Sequence, residues 1–243
     1  MTATAPADGS AWEPPPGAGP YRPGACVETG TGAVTCDRPH HFEIMASGDL
    51  PADLRAAYPP PVGPLRPGCT VALTRYLGSV DAEASRLEAL IMFPTRDGWT
   101  AGERWYACLV ADRGPDSGWV HRTGNLGGAL VGGLGAFQRC LVGEPITDPE
   151  GVVDCDQPHR SEAVPGVLVL GGPTDPPPPD FQRLLIDRVL PHCDAAVATY
   201  LGGGRPGVRS GGLGPLAGNW AAGVRTAVCY AVADTPTSGV MGR

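Results

Sequence analysis

Two short stretches of the sequence hold the residue types that acid–base chemistry uses. Cys36-Asp37-Arg38-Pro39-His40-His41-Phe42-Glu43 returns as Cys155-Asp156-Gln157-Pro158-His159-Arg160-Ser161-Glu162, so C-D-x-P-H-x-x-E occurs twice. An imidazole titrates near neutrality and a nearby carboxylate tunes it, which makes His40 with Glu43, and His159 with Glu162, candidate general acid and base pairs. The competing reading has each imidazole hydrogen-bond loop backbone while each carboxylate binds Arg104 or Arg225. That second reading is favoured, because nothing else that nucleophilic or metal-dependent catalysis needs is present. There is no nucleophile elbow and no H-E-x-x-H helix, and Gly202-Gly203-Gly204 lacks the G-x-G-x-x-G spacing after a strand. No catalytic residue and no cofactor is expected.

The eight cysteines are the second chemical resource: Cys26, Cys36, Cys69 and Cys108 in the first half, Cys140, Cys155, Cys193 and Cys229 in the second. In a unit of roughly 90 residues burial alone leaves a thin margin, so two disulfides, each contributing about 2–4 kcal/mol, matter greatly. Each quartet permits three pairings. The favoured one joins Cys26 to Cys36 and Cys69 to Cys108, with the equivalents Cys140 to Cys155 and Cys193 to Cys229. Cys26 and Cys36 flank a short Gly-rich turn, and lengthening that turn in the second half keeps its ends opposed. Zinc is the sharper alternative, since C-x-x-x-H appears in both copies and thiolate plus imidazole suits that ion. No C-x-x-C knuckle occurs and the ligands would come from well-separated segments, so no metal is expected.

A third pattern is aromatic. Trp99 and Trp220 each precede a Gly and an Arg in W-x-x-G-x-R, the arginines being Arg104 and Arg225. An exposed indole offers a platform for a peptide or glycan. Core packing is the favoured reading, with Gly102 or Gly223 supplying a tight turn. His121 and His192 have no obvious partner and are assigned no function.

These motifs recur in order, which sets the architecture. Cys69 lies seven residues before Tyr76-Leu77-Gly78, and Cys193 seven before Tyr200-Leu201-Gly202. Pro94, Trp99, Gly102, Arg104 and Cys108 return with identical spacing as Pro215, Trp220, Gly223, Arg225 and Cys229. The offsets of the three matches are 119, 124 and 121 residues. The pattern reads as a tandem duplication, with repeat one at 21–112, a Gly-rich linker at 113–136, repeat two at 137–233 and a C-terminal tail at 234–243. The Pro/Gly-rich stretch 1–20 reads as a disordered tail.

Within a repeat, Val34 to Cys36 and Phe42 to Ala46 favour strands on either side of the Pro-His turn, as does Val164 to Leu170. Phe181 to Tyr200 has helical spacing that Pro191 is expected to split. Leu87 to Phe93 and Arg104 to Ala111 read as a hairpin around Asp97-Gly98. The sum is β-β-α-β-β per repeat, an α+β fold built from two small disulfide-supported units.

Together, C-D-x-P-H-x-x-E, a helix-borne cysteine before Tyr-Leu-Gly, and W-x-x-G-x-R-x-x-x-C resemble the septum-formation domain of actinobacteria, present here as two copies over about 190 residues. The resemblance implies a noncatalytic role at the cell envelope or division septum, with a protein or cell-wall partner. The motif residues Asp37, His40, Glu43, Trp99 and Arg104, and Asp156, His159, Glu162, Trp220 and Arg225, are then the candidates for binding or structural roles. A hydrolase or metal-dependent enzyme using the Pro-His-x-x-Glu pairs, in a cleft between the units, is the alternative.

Composition narrows the setting. Of 243 residues, 25 are acidic and 18 basic, every basic one being Arg, for a net charge of -7. Without a clustered basic stripe, nucleic acid is excluded as a partner. No apolar stretch reaches the roughly 18–20 residues of a membrane helix, and Met1 to Ala25 does not read as a signal peptide. An even number of cysteines points instead to an oxidising, extracytoplasmic compartment, with a cytoplasmic location and free thiols as the alternative.

Overall fold

The computed structural model describes residues 21–29, 32–115, 118–148 and 151–242. The stretch 1–20, expected as a tail, lies outside the described residues. The first half contains β1 (Cys26–Glu28), β2 (Gly32–Val34), β3 (Phe42–Asp49), α1 (Arg66–Leu77), β4 (Leu87–Met92), α2 (Arg96–Thr100) and β5 (Trp105–Asp112). The second contains β6 (Cys140–Leu141), β7 (Val152–Val153), β8 (His159–Val169), α3 (Phe181–Leu184), α4 (Leu190–Leu201), β9 (Val208–Leu213), α5 (Ala217–Ala221) and β10 (Thr226–Thr237). Each half folds into a five-stranded sheet, in the orders β2-β1-β3-β5-β4 and β7-β6-β8-β10-β9. All pairings are antiparallel. The fold is α+β with two similar units, each richer than β-β-α-β-β by one short strand, the first also by one short helix and the second by two.

The helices explain themselves through spacing. Cys69, Leu73 and Leu77 of α1, and Cys193, Val197 and Leu201 of α4, are the buried residues at intervals of four. Pro67 and Pro191 sit in the first turn of their helices, where a missing N–H costs nothing. Gly78 and Gly202 end the helices in the left-handed region, at φ 77° and 69°. Pro191 does not split the helix as expected. Leu185–Val189 widens into a π turn between α3 and α4, and the chain continues helical through the proline. Nor is there a tight hairpin at Asp97-Gly98. Those residues belong to α2, whose first turn is capped by the Thr95 hydroxyl accepting from the Gly98 N–H at 3.2 Å. β4 and β5 still pair, across this longer connection.

The disulfides are Cys26–Cys36, Cys69–Cys108, Cys140–Cys155 and Cys193–Cys229, and each lies within its own half. One bond per unit ties β1 or β6 to the Pro-His turn. The other ties the helix to the last strand.

The two sheets do not stand apart. One apolar cluster joins Met45, Leu73, Leu77 and Val110 of the first half to Leu141, Ala163, Tyr230 and Val232 of the second. The Asp81 carboxylate accepts from the Gly166 and Val167 N–H groups at 2.7 and 3.0 Å. Arg139 reaches Glu88 at 3.2 Å, and Arg86 pairs with both Asp112 and Asp154. The stretch 113–136, read from sequence as a linker, carries Leu126, Leu130 and Leu134 into this same core. Its glycines provide turns between buried leucines. The end of the chain is likewise incorporated: β10 runs to Thr237, and Met241 is buried.

Candidate functional site

His40, Glu43, His159 and Glu162 are all 0 % exposed. The imidazole stands at or just before the first residue of β3 or β8, and the carboxylate follows three residues on, pointing inward toward the helix. In the first unit His40 Nδ1 donates to the Arg38 carbonyl at 2.8 Å, while Nε2 lies 3.4 Å from Glu43 Oε1. The second unit repeats this with the Gln157 carbonyl at 2.8 Å and Glu162 Oε1 at 2.7 Å. The imidazole therefore does bind loop backbone, as expected.

The carboxylate, however, does not go to Arg104 or Arg225. A tyrosine in the last turn of each helix donates to it: Tyr76 to Glu43 at 2.8 Å and Tyr200 to Glu162 at 2.7 Å. A single backbone N–H then closes the cluster by reaching both carboxylate oxygens. Leu126 serves Glu43 at 3.0 and 2.8 Å, and Met241 serves Glu162 at 2.8 and 2.9 Å. Segments that follow the last strand of each unit thus perform the same task. The Tyr-Leu-Gly echo was the available signal for the tyrosines. No motif announces the two N–H groups, because any residue except proline carries one.

In the second unit both nitrogens of His159 face oxygen atoms, an arrangement that favours the doubly protonated, cationic ring. Burial opposes that charge. The hydrogen bonds to Glu162 and to the Gln157 carbonyl, with the charge of Glu162, outweigh it and raise the pKa of His159 above the usual histidine value. Burial and then the Glu162 hydrogen bond push Tyr200 up to about 12, and the same two causes, with Glu43 as partner, raise Tyr76. The arrangement is a saturated, water-excluding network linking sheet, helix and closing segment. It can hold a proton, and its histidines and glutamates are fully buried.

Arg104 and Arg225 complete a different device. Arg104 folds over the Trp99 ring, 3.9 Å from its centroid, and donates to the Trp99 and Glu103 carbonyls, each at 2.7 Å. Arg225 lies 4.1 Å over Trp220 and donates to the Trp220 and Val224 carbonyls at 2.6 and 3.1 Å. Gly102 and Gly223, at φ 99° and 89°, supply the turn that brings the arginine back. Trp220 is buried, at 5 % exposure, whereas Trp99 is only partly covered. Asp37 and Asp156 are exposed on the Pro-His turns. His192 Nε2 donates to the Gly166 carbonyl at 2.6 Å.

A cleft of about 390 Å³ opens between the units, lined by Val71, Thr74, Glu83, Val167, Gly223 and Arg225 among others. Neither His–Glu pair lines it. Glu83 is its titratable wall: burial raises the carboxyl pKa against the opposing hydrogen bond from Thr226. Near the two buried pairs the sulfurs of Cys26 and Cys140 lie close enough to share a metal ion, but both are consumed in disulfides and offer no thiolate. No helix among the described residues is long and apolar enough to cross a membrane.

No curated protein and no solved structure matches the chain. The family model described as septum formation matches residues 23–229, a single span that runs from the first sheet into the last strand of the second. The chain therefore belongs to the septum-formation family.

Proposed function

We propose that the protein is a noncatalytic envelope component of an actinobacterium, working outside the cytoplasm and offering its paired units to a protein or cell-wall partner during septation or wall assembly. Its two units, 21–112 and 137–233, descend on this reading from one duplicated module. The observation that carries the noncatalytic part is that both His–Glu pairs are buried, with their hydrogen-bonding capacity taken up by tyrosine and backbone donors. Four disulfides and the absence of a free cysteine among the described residues support an oxidising compartment.

Two measurements in the native host test the proposal. Thiols are counted by alkylation and mass spectrometry under denaturing, nonreducing conditions. None is expected, and eight reactive thiols would overturn the compartment. Septal wall synthesis is then followed with a fluorescent D-amino acid in a deletion strain. Delayed or misplaced septa are expected, and unaltered septa would overturn the role in division.

A further inference from the structure

The rim of the first unit holds a group of side chains that neither buried network uses. β1 and β3 pair with Val27 opposite Phe42, and one step along this register Glu28 stands opposite His41. On the other side, the bridge between His40 and Arg122 sets His121 opposite His41 by the same count. Three neighbouring segments therefore deliver two imidazoles and one carboxylate to one point. His41 Nδ1 is 2.9 Å from Glu28 Oε1, and His121 Nε2 is 3.4 Å from Glu28 Oε2. One ligand atom from each residue lies within 4.8 Å of the others. The rings of His41 and His121 overlap at 3.6 Å between centroids.

Hydrogen bonds also run within the group: His121 Nε2 lies 3.4 Å from Glu28 Oε1, and the Thr29 hydroxyl lies 3.3 Å from His41 Nδ1. Glu28 Oε2 is buried and accepts no hydrogen bond among the described residues, although His121 lies beside it. The carboxylate is shared by two imidazoles and keeps acceptor capacity at Oε2 that a metal ion could use. The separations of 2.9 and 3.4 Å to Glu28 are close to those of a coordination shell. With metal–ligand bonds of about 2.0–2.2 Å, neighbouring ligand atoms of a tetrahedral site lie roughly 3.3–3.5 Å apart. His121 is 57 % exposed, so an ion can enter and keep a water as its fourth ligand.

We propose that Glu28, His41 and His121 bind one divalent transition-metal ion, with Zn2+ the best match to two nitrogen donors and one carboxylate. The second unit provides an internal contrast. Its register puts Val142, Arg160 and Pro236 at the three corresponding places, and Arg160 there donates to the Ala233 carbonyl at 3.2 Å. The site belongs to the first unit alone.

The test is isothermal titration calorimetry of the full chain, without a histidine tag, against ZnCl2. One ion per chain is expected. Loss of an outer partner of a metal site already costs roughly 10–100-fold in affinity, so His121→Ala, which removes an exposed ligand, is expected to weaken binding at least as much. His41→Arg, which installs the residue of the second unit, is expected to do the same, while His192→Ala leaves binding unchanged. Circular dichroism of each variant checks that it is folded. Trp119, stacked edge-on to Phe42 beside His41 at 6.1 Å, supplies a second readout through quenching by Ni2+. Absence of binding by the unaltered chain, or equal affinity in folded His121→Ala, would overturn the proposal.

Discussion

The two units share a plan and differ in how tightly they execute it. In the second, His159 approaches Glu162 at 2.7 Å and Trp220 is buried beneath Arg225; in the first, His40 stands 3.4 Å from Glu43 and Trp99 is half uncovered. The opposite asymmetry holds at the rim, where the first unit gathers Glu28, His41 and His121 and the second has Val142, Arg160 and Pro236. The comparison teaches that the buried cluster is the structural constant of the fold. The residues one step outward are free to take up separate tasks.

The largest expected effect separates the clusters. Glu162→Gln leaves the His159 charge buried without its counter-ion, a change that costs on the order of 3–5 kcal/mol. Glu43→Gln acts on a longer contact and is expected to cost less. Urea unfolding of the two variants checks this, and equal losses would mean that the difference in His–Glu distance carries no energy. Next come the disulfides. By loop closure, a bond spanning 39 residues stabilises by about 3.9 kcal/mol and one spanning 10 by about 2.7. The Cys69→Ser/Cys108→Ser variant should therefore unfold at lower urea than Cys26→Ser/Cys36→Ser.

A smaller effect concerns pH. The pKa of His159 is raised on folding, so the stability it contributes is fully present below the unfolded histidine value near 6.5 and is lost as pH rises through the folded value. The urea midpoint should fall across that window, and His159→Gln should flatten the fall. The smallest expected change is Tyr76→Phe or Tyr200→Phe. Each removes one hydrogen bond to a carboxylate, worth about 1.5–3 kcal/mol, with the greater loss at Tyr200 because the Gln138 side chain also donates to its hydroxyl at 2.8 Å.

Much of this was legible in the sequence, and the remainder was hidden for physical reasons. The repeated cysteines led to the pairing that the fold contains, because each short loop and each helix–strand contact recurs at nearly constant offset. W-x-x-G-x-R was recognisable, though not as a ring capped by its own arginine. The partner of each glutamate is not legible from residue type: an arginine is the obvious counter-charge, whereas the actual donors are a tyrosine 33 or 38 residues away and a peptide N–H. A backbone donor has no residue signature, so Leu126 lay hidden in an apparent linker and Met241 in an apparent tail. Strands β1 and β6, of three and two residues, are too short to show alternation. Glu28, His41 and His121 are brought together only by strand register.

The most direct test of the central claim, that the His–Glu–Tyr clusters are sealed parts of the scaffold, is histidine acylation by diethyl pyrocarbonate read residue by residue by mass spectrometry. The native protein should be modified readily at His121 and resist modification at His40 and His159, with all five histidines reacting once the chain is unfolded. Modification of His40 or His159 in the native state at a rate near that of His121 would contradict it.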